Sequence, residues 1–511
     1  MEDKKRLGIN LFAQIFAFVV GFAINFFLTP FIIQKLGTEA YGFIGLASNF
    51  VSYTSLITIA LNSMAARFIT VSFHKGDIET AKKYFSSVYY SNLFLAIIIA
   101  LFAVFIVAFL DLIVTIPNEL IWDVKFLFGL TFLNSIIALT SNVYLIATFV
   151  KNRLDLSSLR NIISNLLKGI CIVLPFLLFK PNLWYYGISA LVAAIFIAIT
   201  NRALTKKLLP DFQINKSLFD YKLVKELISS GGWNLLTKLS QILSTGLDLL
   251  IANLFISALA MGTFSISKVI PTVILSLCAS IASVFAPKLT ELYAKGKINI
   301  LQNELQNNIQ VMGIFSIIPL VIFLVLGKDF FHLWLPTQDS NVLYVLSSIS
   351  ICSLLISMPQ ESLWNIFTIA NKVKVSSLNL FIINMLILII IIICFSYFDN
   401  EYYKLISIAV ARFIGEVICS LTFLPLYGAK CLNLKWYIFY PIILKILLLS
   451  IVTIGCFLFL KKYFFVINNW SSFIVFASLI GVVTFISVSF LILSKQQKKK
   501  LIYMIKEKIY H

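Results

Sequence analysis

Residues 7–66 read LGINLFAQIFAFVVGFAINFFLTPFIIQKLGTEAYGFIGLASNFVSYTSLITIALNSMAA. Two apolar runs, near residues 8–33 and 40–66, flank the polar connector Gln34-Lys35-Leu36-Gly37-Thr38-Glu39. Each run exceeds the roughly 20 apolar residues needed to cross a bilayer's hydrocarbon core. In hydrocarbon every backbone N–H and C=O must be paired within its own segment, a condition that helices of this length meet. The stretch therefore predicts two membrane helices joined by a short link.

The same pattern continues outward, with apolar runs near 82–110, 120–149, 157–179, 183–205, 226–255, 260–287, 305–327, 342–369, 376–396, 402–426, 437–460 and 469–494. The 511 residues are 60% hydrophobic and 12% charged, with mean hydropathy +0.96, whereas soluble domains carry about 25% charged residues. The expectation is an all-α polytopic membrane protein with about 14 transmembrane helices and no sizeable extramembrane domain. The net charge of +19 would point to nucleic acid in a soluble protein, but here it is read loop by loop, and no nucleic-acid partner is expected. With the N-terminus cytoplasmic, 29 Lys and Arg fall in cytoplasmic segments, and six lie in external loops (Lys35, Lys180, Lys328, Lys404, Lys461, Lys462). The positive-inside rule therefore places both termini in the cytoplasm. The tail, residues 495–511 with Lys498-Lys499-Lys500, reads as a basic segment lying on anionic membrane lipids.

A cytoplasmic linker at 206–225 separates a predicted six-helix bundle, 1–205, from a second, 226–430, and two additional transmembrane helices follow at 431–494. The bundles carry traces of duplication. At an offset of 220, Ala40, Gly42, Ser63, Ala66, Thr70, Lys75, Gly76 and Ile78 match Ala260, Gly262, Ser283, Ala286, Thr290, Lys295, Gly296 and Ile298; at 224, Gly8, Asn10 and Leu11 match Gly232, Asn234 and Leu235. An even number of spans per half makes this a parallel repeat, with an axis along the membrane normal.

Catalytic chemistry finds no support. There is no Gly-x4-Gly-Lys-Ser/Thr phosphate loop, the three histidines are far apart in sequence, and the seven cysteines are scattered without metal-ligand spacing. No catalytic residue, metal site or cofactor is predicted, and the chain reads as a transporter rather than an enzyme. Polar residues inside the spans are the informative ones, because each is costly in lipid. In span 7, Asn234, Lys238, Gln241, Thr245 and Asp248 recur at spacings that an unbroken helix confines to an arc of about 80°. Lys268 and Thr272 of span 8 add a second cation, and Lys168 of span 5, with Asn161 and Asn165, a third. Span 1 aligns Gln14, Phe18, Gly21 and Asn25, and span 2 aligns Gly45, Ser48, Ser52, Ser55 and Asn62. Such neutral stripes suit a hydrated cavity or close helix packing equally. Glu361 in span 10, and Arg412 with Glu416 in span 12, are candidates for ion coupling to Na⁺ or H⁺, together with Asp248.

Leu36-Gly37-Thr38-Glu39-Ala40-Tyr41-Gly42 resembles the Leu-Gly-x-x-x-Tyr-Gly signature of bacterial polysaccharide exporters, as does Arg67 to Lys83 with its Lys75-Gly76-Asp77. The chain looks like the O-antigen and capsule flippase branch of the multidrug/oligosaccharidyl-lipid/polysaccharide superfamily. That resemblance implies a bacterial plasma-membrane flippase for undecaprenyl-diphosphate-linked oligosaccharide, working by alternating access, with polysaccharide polymerase and glycosyltransferases as partners. Lys238 and Lys268 would hold the diphosphate, Gln14, Asn25, Asn234 and Gln241 would contact the sugar, and Lys168 is a further substrate-binding candidate. Span 1 contains no arginine, unlike peptidoglycan-precursor flippases, and carries Asn25 where many drug antiporters have an acid. Multidrug efflux is thus the alternative, and a non-transporting scaffold of a polysaccharide assembly complex a third reading.

Overall fold

The computed structural model describes residues 2–492 except Asn152, Asn371 and Phe465, so the basic tail lies outside the described residues. These residues form helices and connecting turns, with no strand among them. Twelve helices are long and apolar enough to cross a membrane, or thirteen when a bent pair is counted as one span. This count takes Glu2–His74, labelled α1, as one, yet its backbone leaves helical geometry at Gly37 (φ 87°, ψ 169°), where two helices meet across a kink, as the first two runs predict; the expected fourteen exceeds the twelve or thirteen counted.

The first compact unit ends at Ser265. It contains α1, α2 (Ile78–Ala108), α3 (Ile121–Val150), α4 (Leu154–Leu178), α5 (Trp184–Leu208), α6 (Tyr221–Gln241), α7 (Asp248–Phe255) and most of α8 (Ala258–Ser267). Packing thus groups α6 and α7 with α1, beyond the linker that divides the halves in sequence. The core holds Phe43, Leu46, Leu61, Ile69, Phe85, Phe128 and Phe132, all essentially inaccessible. Lipid tails are as apolar as leucine, so shape complementarity and polar contacts hold such helices together. Glycine provides the closest approaches. A methyl group built on Gly42 would meet the Gly262 Cα at 2.8 Å, and one on Gly262 would meet the Thr38 carbonyl oxygen at 2.2 Å. Gly42 and Gly262 are repeat mates, so the duplicated Ala-x-Gly elements pack directly on one another.

The second unit begins at Ile266. It contains α9 (Val269–Ser283), α10 (Ala286–Ala294), α11 (Ile298–Trp334), α12 (Ser340–Ser357), α13 (Val373–Tyr397), α14 (Glu401–Ile418), α15 (Tyr440–Phe464) and α16 (Trp470–Ile492). Helix α11 is its centre, burying Ile309, Ile317, Val321 and Val325 in a core shared with Ile443 and Ile446 of α15 and Ile480 and Val488 of α16. The two helices beyond the second bundle are therefore packed onto α11. Lys461 of α15 reinforces this contact by donating to Asp329 and to the Val325 carbonyl.

The duplicated turns match in atomic detail. Gly76 (φ 83°) and Gly296 (φ 65°) both take the left-handed conformation, which costs other residues about 1–2 kcal/mol. Lys75, Gly76 and Asp77 donate their N–H groups to Val71, Phe73 and Ser72, at 3.0, 3.1 and 3.1 Å; Lys295, Gly296 and Lys297 donate to Glu291, Tyr293 and Leu292, each at 3.0 Å. Every donor and acceptor is displaced by the offset of 220.

Candidate functional site

The stripes of α1 and α4 meet. Gln14, Ala17 and Phe18 from α1, with Ser158, Asn161, Ser164 and Asn165 from α4, line a pocket of about 300 Å³. Gly21 extends the contact, since a methyl group there would lie 2.9 Å from the Asn165 Nδ2. Three amides supply donors and acceptors without net charge, which suits hydroxyl-rich or amide-bearing groups. Lys168, one turn beyond Asn165, turns elsewhere: its Nζ donates to the Tyr186 hydroxyl at 2.9 Å and lies 4.3 Å from that ring's centroid. Asn25 donates to the Gly21 carbonyl of its own helix at 2.9 Å.

The polar stripe of span 7 does not run along one unbroken helix. Ile242–Gly246 forms a π-helical turn, and the axis bends by 43° between Tyr221–Gly246 and Asp248–Phe255. The wide turn frees the Gly246 carbonyl, which accepts from Asn49 Nδ2 at 2.9 Å and from the Tyr53 hydroxyl at 2.6 Å. Sequence reasoning passed over Asn49 and Tyr53, whose i, i+4 spacing on span 2 was the available signal. Above the break, Asn234 donates to Ser63 Oγ at 3.0 Å and so bridges α6 to α1. Lys238 is half-buried, and its ammonium makes no hydrogen bond or ion pair among the described residues. Gln241 and Thr245 are exposed, and Asp248 is fully buried at the start of α7. Irregular backbone at membrane depth is a mark of transport sites, where it frees carbonyls to bind ligands or partners. A further amide cluster, also missed apart from Asn62, joins three helices: Asn62 and Asn92 exchange hydrogen bonds at 2.9 and 3.0 Å, and Asn142 donates to Asn62 at 3.3 Å.

In the second unit Lys268 is half-buried at the N-terminus of α9. Glu361 lies in the 3-10 segment Met358–Leu363, which Pro359 opens after α12. Glu416, near the end of α14, a helix packed on α12, accepts from Ser420 Oγ at 3.2 Å. Ser420 itself sits in another π-helical turn, Cys419–Phe423. Arg412 donates Nη1 to Asn384 Oδ1 of α13 at 3.1 Å. Both carboxylates lie at irregular stretches of their helices, and the fully buried Gln360 Oε1 next to Glu361 has no hydrogen-bond partner among the described residues.

The architecture is that of a helical membrane protein with twelve or thirteen candidate spans among the described residues. A lipid II flippase MurJ structure in an inward closed conformation shares it, with a TM-score of 0.68 at 14% identity over 94% of this chain and 97% of that one. So does an inward-facing multidrug resistance transporter of the MATE family, MOP superfamily, with a TM-score of 0.64 at 14% identity over 84% and 97%. In sequence, the profile described as polysaccharide biosynthesis protein matches residues 5–293, and the chain belongs to that family. A Bacillus subtilis (strain 168) relative, the uncharacterized membrane protein EpsK, is 28% identical over 444 residues, 85% of each chain.

Proposed function

We propose that this protein carries an undecaprenyl-diphosphate-linked oligosaccharide from the cytoplasmic to the external leaflet of a bacterial plasma membrane, for O-antigen or capsule assembly. The observation that carries this reading is the neutral amide pocket of Gln14, Asn161 and Asn165. A sugar cannot cross hydrocarbon unaided, because each hydroxyl loses its hydrogen bonds there. An uncharged, hydrogen-bonding lining replaces them, whereas a cationic drug would call for an acid, and the lining of this pocket has none. The diphosphate requires a cation, and Lys238 fits that role best, since Lys168 is held by Tyr186. Lys268 is a second candidate. Polysaccharide polymerase and glycosyltransferases would consume and supply the substrate.

Without nucleotide hydrolysis, the direction of movement needs an ion gradient, the membrane potential or removal of product. We assign the bias to Na⁺ or H⁺ at Glu361 and Glu416, with Arg412 setting the local charge and Asp248 acting separately at the α7 bend. The reading is tested by flipping of a fluorescent lipid-linked oligosaccharide in proteoliposomes. Wild type should translocate it, Gln14→Leu and Asn165→Leu should raise the half-saturating concentration several-fold, and Glu361→Gln should remove the response to an imposed Na⁺ or pH gradient. Transport of cationic dyes instead of the oligosaccharide would overturn it in favour of drug efflux, and no transport at all would favour the scaffold. Reporter fusions at residue 215 and the C-terminus should behave as cytoplasmic and one at residue 335 as external.

A further inference from the structure

A second cleft within the first unit lies away from the amide pocket. It is a groove of about 760 Å³ walled by Ile57 of α1, Phe94 of α2, and Ile228 and Leu235 of α6, with Tyr90 and Lys216 among its polar lining residues. Ile57, Phe94, Ile228 and Leu235 are each at least 40% exposed, so this lining is open and apolar. Lys216 belongs to the linker before α6, and hydrogen bonds fix that linker against α2: Asn215 N–H donates to Ser86 Oγ at 3.4 Å and Asp220 N–H to Ser87 Oγ at 2.9 Å. The nearby acids are engaged elsewhere. Asp220 caps α6 by accepting from Lys222 N–H at 2.8 Å, and Glu226 accepts from the Tyr84 hydroxyl at 2.7 Å. The groove therefore has an apolar body within the span region and one ammonium at the linker end.

We infer that this groove binds an anionic phospholipid of the cytoplasmic leaflet, with its phosphate at Lys216 and its acyl chains along Ile57, Phe94, Ile228 and Leu235. Charge complementarity selects the head group, because basic pockets between membrane helices on the cytoplasmic side attract anionic lipid. The groove, about 760 Å³ and open along its apolar wall, admits acyl chains that run on into the surrounding lipid. A lipid seated there touches both α1 and α6, and so would hold together the two helices that Asn234 and Ser63 join farther along.

The test uses the full-length protein, stripped of lipid in neutral detergent, with dioleoyl phosphatidylglycerol and dioleoyl phosphatidylcholine as probes and native mass spectrometry as readout. Wild type should retain phosphatidylglycerol about fivefold over phosphatidylcholine, the scale of one lysine at an anionic surface. Lys216→Gln should abolish the preference, and Ser91→Trp, which fills the groove, should reduce retention of both lipids; Lys216 is exposed, so its variant should fold normally. Equal retention of the two lipids by wild type, or an undiminished preference in Lys216→Gln, overturns the assignment. Displacement of bound phosphatidylglycerol by equimolar undecaprenyl phosphate would give the groove to the transported lipid and overturn it as well.

Discussion

The turn at residues 71–78 and its counterpart at 291–298 keep the same hydrogen bonds and the same left-handed glycine, yet the helices on which the two repeats begin carry different chemistry. At the offset of 224, Gln14 corresponds to Lys238. Gln14 lines a neutral pocket with Asn161 and Asn165, while Lys238 stands half-buried just before a π-helical turn. A left-handed turn or a glycine contact tolerates few residues, because sterics admit only one solution. A polar side chain facing a hydrated space can change identity without disturbing the fold. The repeat thus separates residues that hold the backbone from residues free to differ in chemistry.

Making the second repeat resemble the first should have the largest consequence. Lys238→Gln removes a charge that the proposed function gives to the diphosphate, and a charge-assisted hydrogen bond of that kind corresponds to roughly a 10- to 100-fold loss of transport. Lys238→Arg should restore part of it, with protein levels near wild type for both. Full activity of Lys238→Gln in membranes would return the residue to a packing role and dissolve the contrast between the repeats.

Breaking the contact the repeats share should be next in size. Gly262→Ala places a methyl group where the Thr38 carbonyl stands, against backbone that cannot rotate away. A loss of about 1–3 kcal/mol is expected, on the scale of overpacking elsewhere, read as a lowered thermal midpoint of the purified protein. Gly455→Ala, where a methyl group meets nothing within 4 Å, is the matching control and should leave the midpoint unlowered, raising it slightly through alanine's better helix propensity.

The spans themselves were legible because hydropathy reports which segments lipid can surround; the repeat marks Gly42 and Gly262 as equivalents but carries no sign of their contact. Hydropathy is silent on how helices join, so the kink at Gly37, where the two helices of α1 meet, was not readable. A π-helical turn inserts one extra residue without any change in composition, which is why the span 7 stripe was drawn on one unbroken helix. Gly246 accepts from Asn49 and Tyr53 across nearly 200 residues, and Lys168 finds Tyr186 on the next helix. Such pairings depend on three-dimensional approach, and a stripe on one helix carries no record of its partner. The acids were half legible: Glu361 and Glu416 stood out as intramembrane charges, but the irregular turns beside them did not.

The smaller effects belong to the matched turns, and they ask whether equal geometry carries equal energy. Gly76→Ala and Gly296→Ala each force a side chain into the left-handed region, so each should lower stability by about 1–2 kcal/mol. Similar thermal shifts are expected, because neither position has a neighbour that a methyl group would strike. Unequal shifts would show that the turns bear different loads despite their common hydrogen bonds.

The turns also differ at the residue after the glycine, and this difference predicts the smallest change, of opposite sign. Asp77 caps α2, its carboxylate accepting from Thr80 N–H at 3.1 Å, and the Thr80 hydrogen bonds hold its carboxyl below the usual carboxylate range. A depressed pKa means stability that is present above the unfolded value and lost as pH falls through the folded one. At the matching position Lys297 offers α11 no side-chain cap and sets a positive charge at the positive end of the helix dipole. Lys297→Asp should therefore stabilise the second unit by about 1 kcal/mol, and that gain should fade in acid as the new carboxylate protonates. The measurement is the thermal midpoint of Lys297→Asp against wild type at neutral pH and near pH 4. A gain independent of pH would mean that relief of the lysine charge, rather than a new cap, produced it, and the two turns would then be alike in backbone alone.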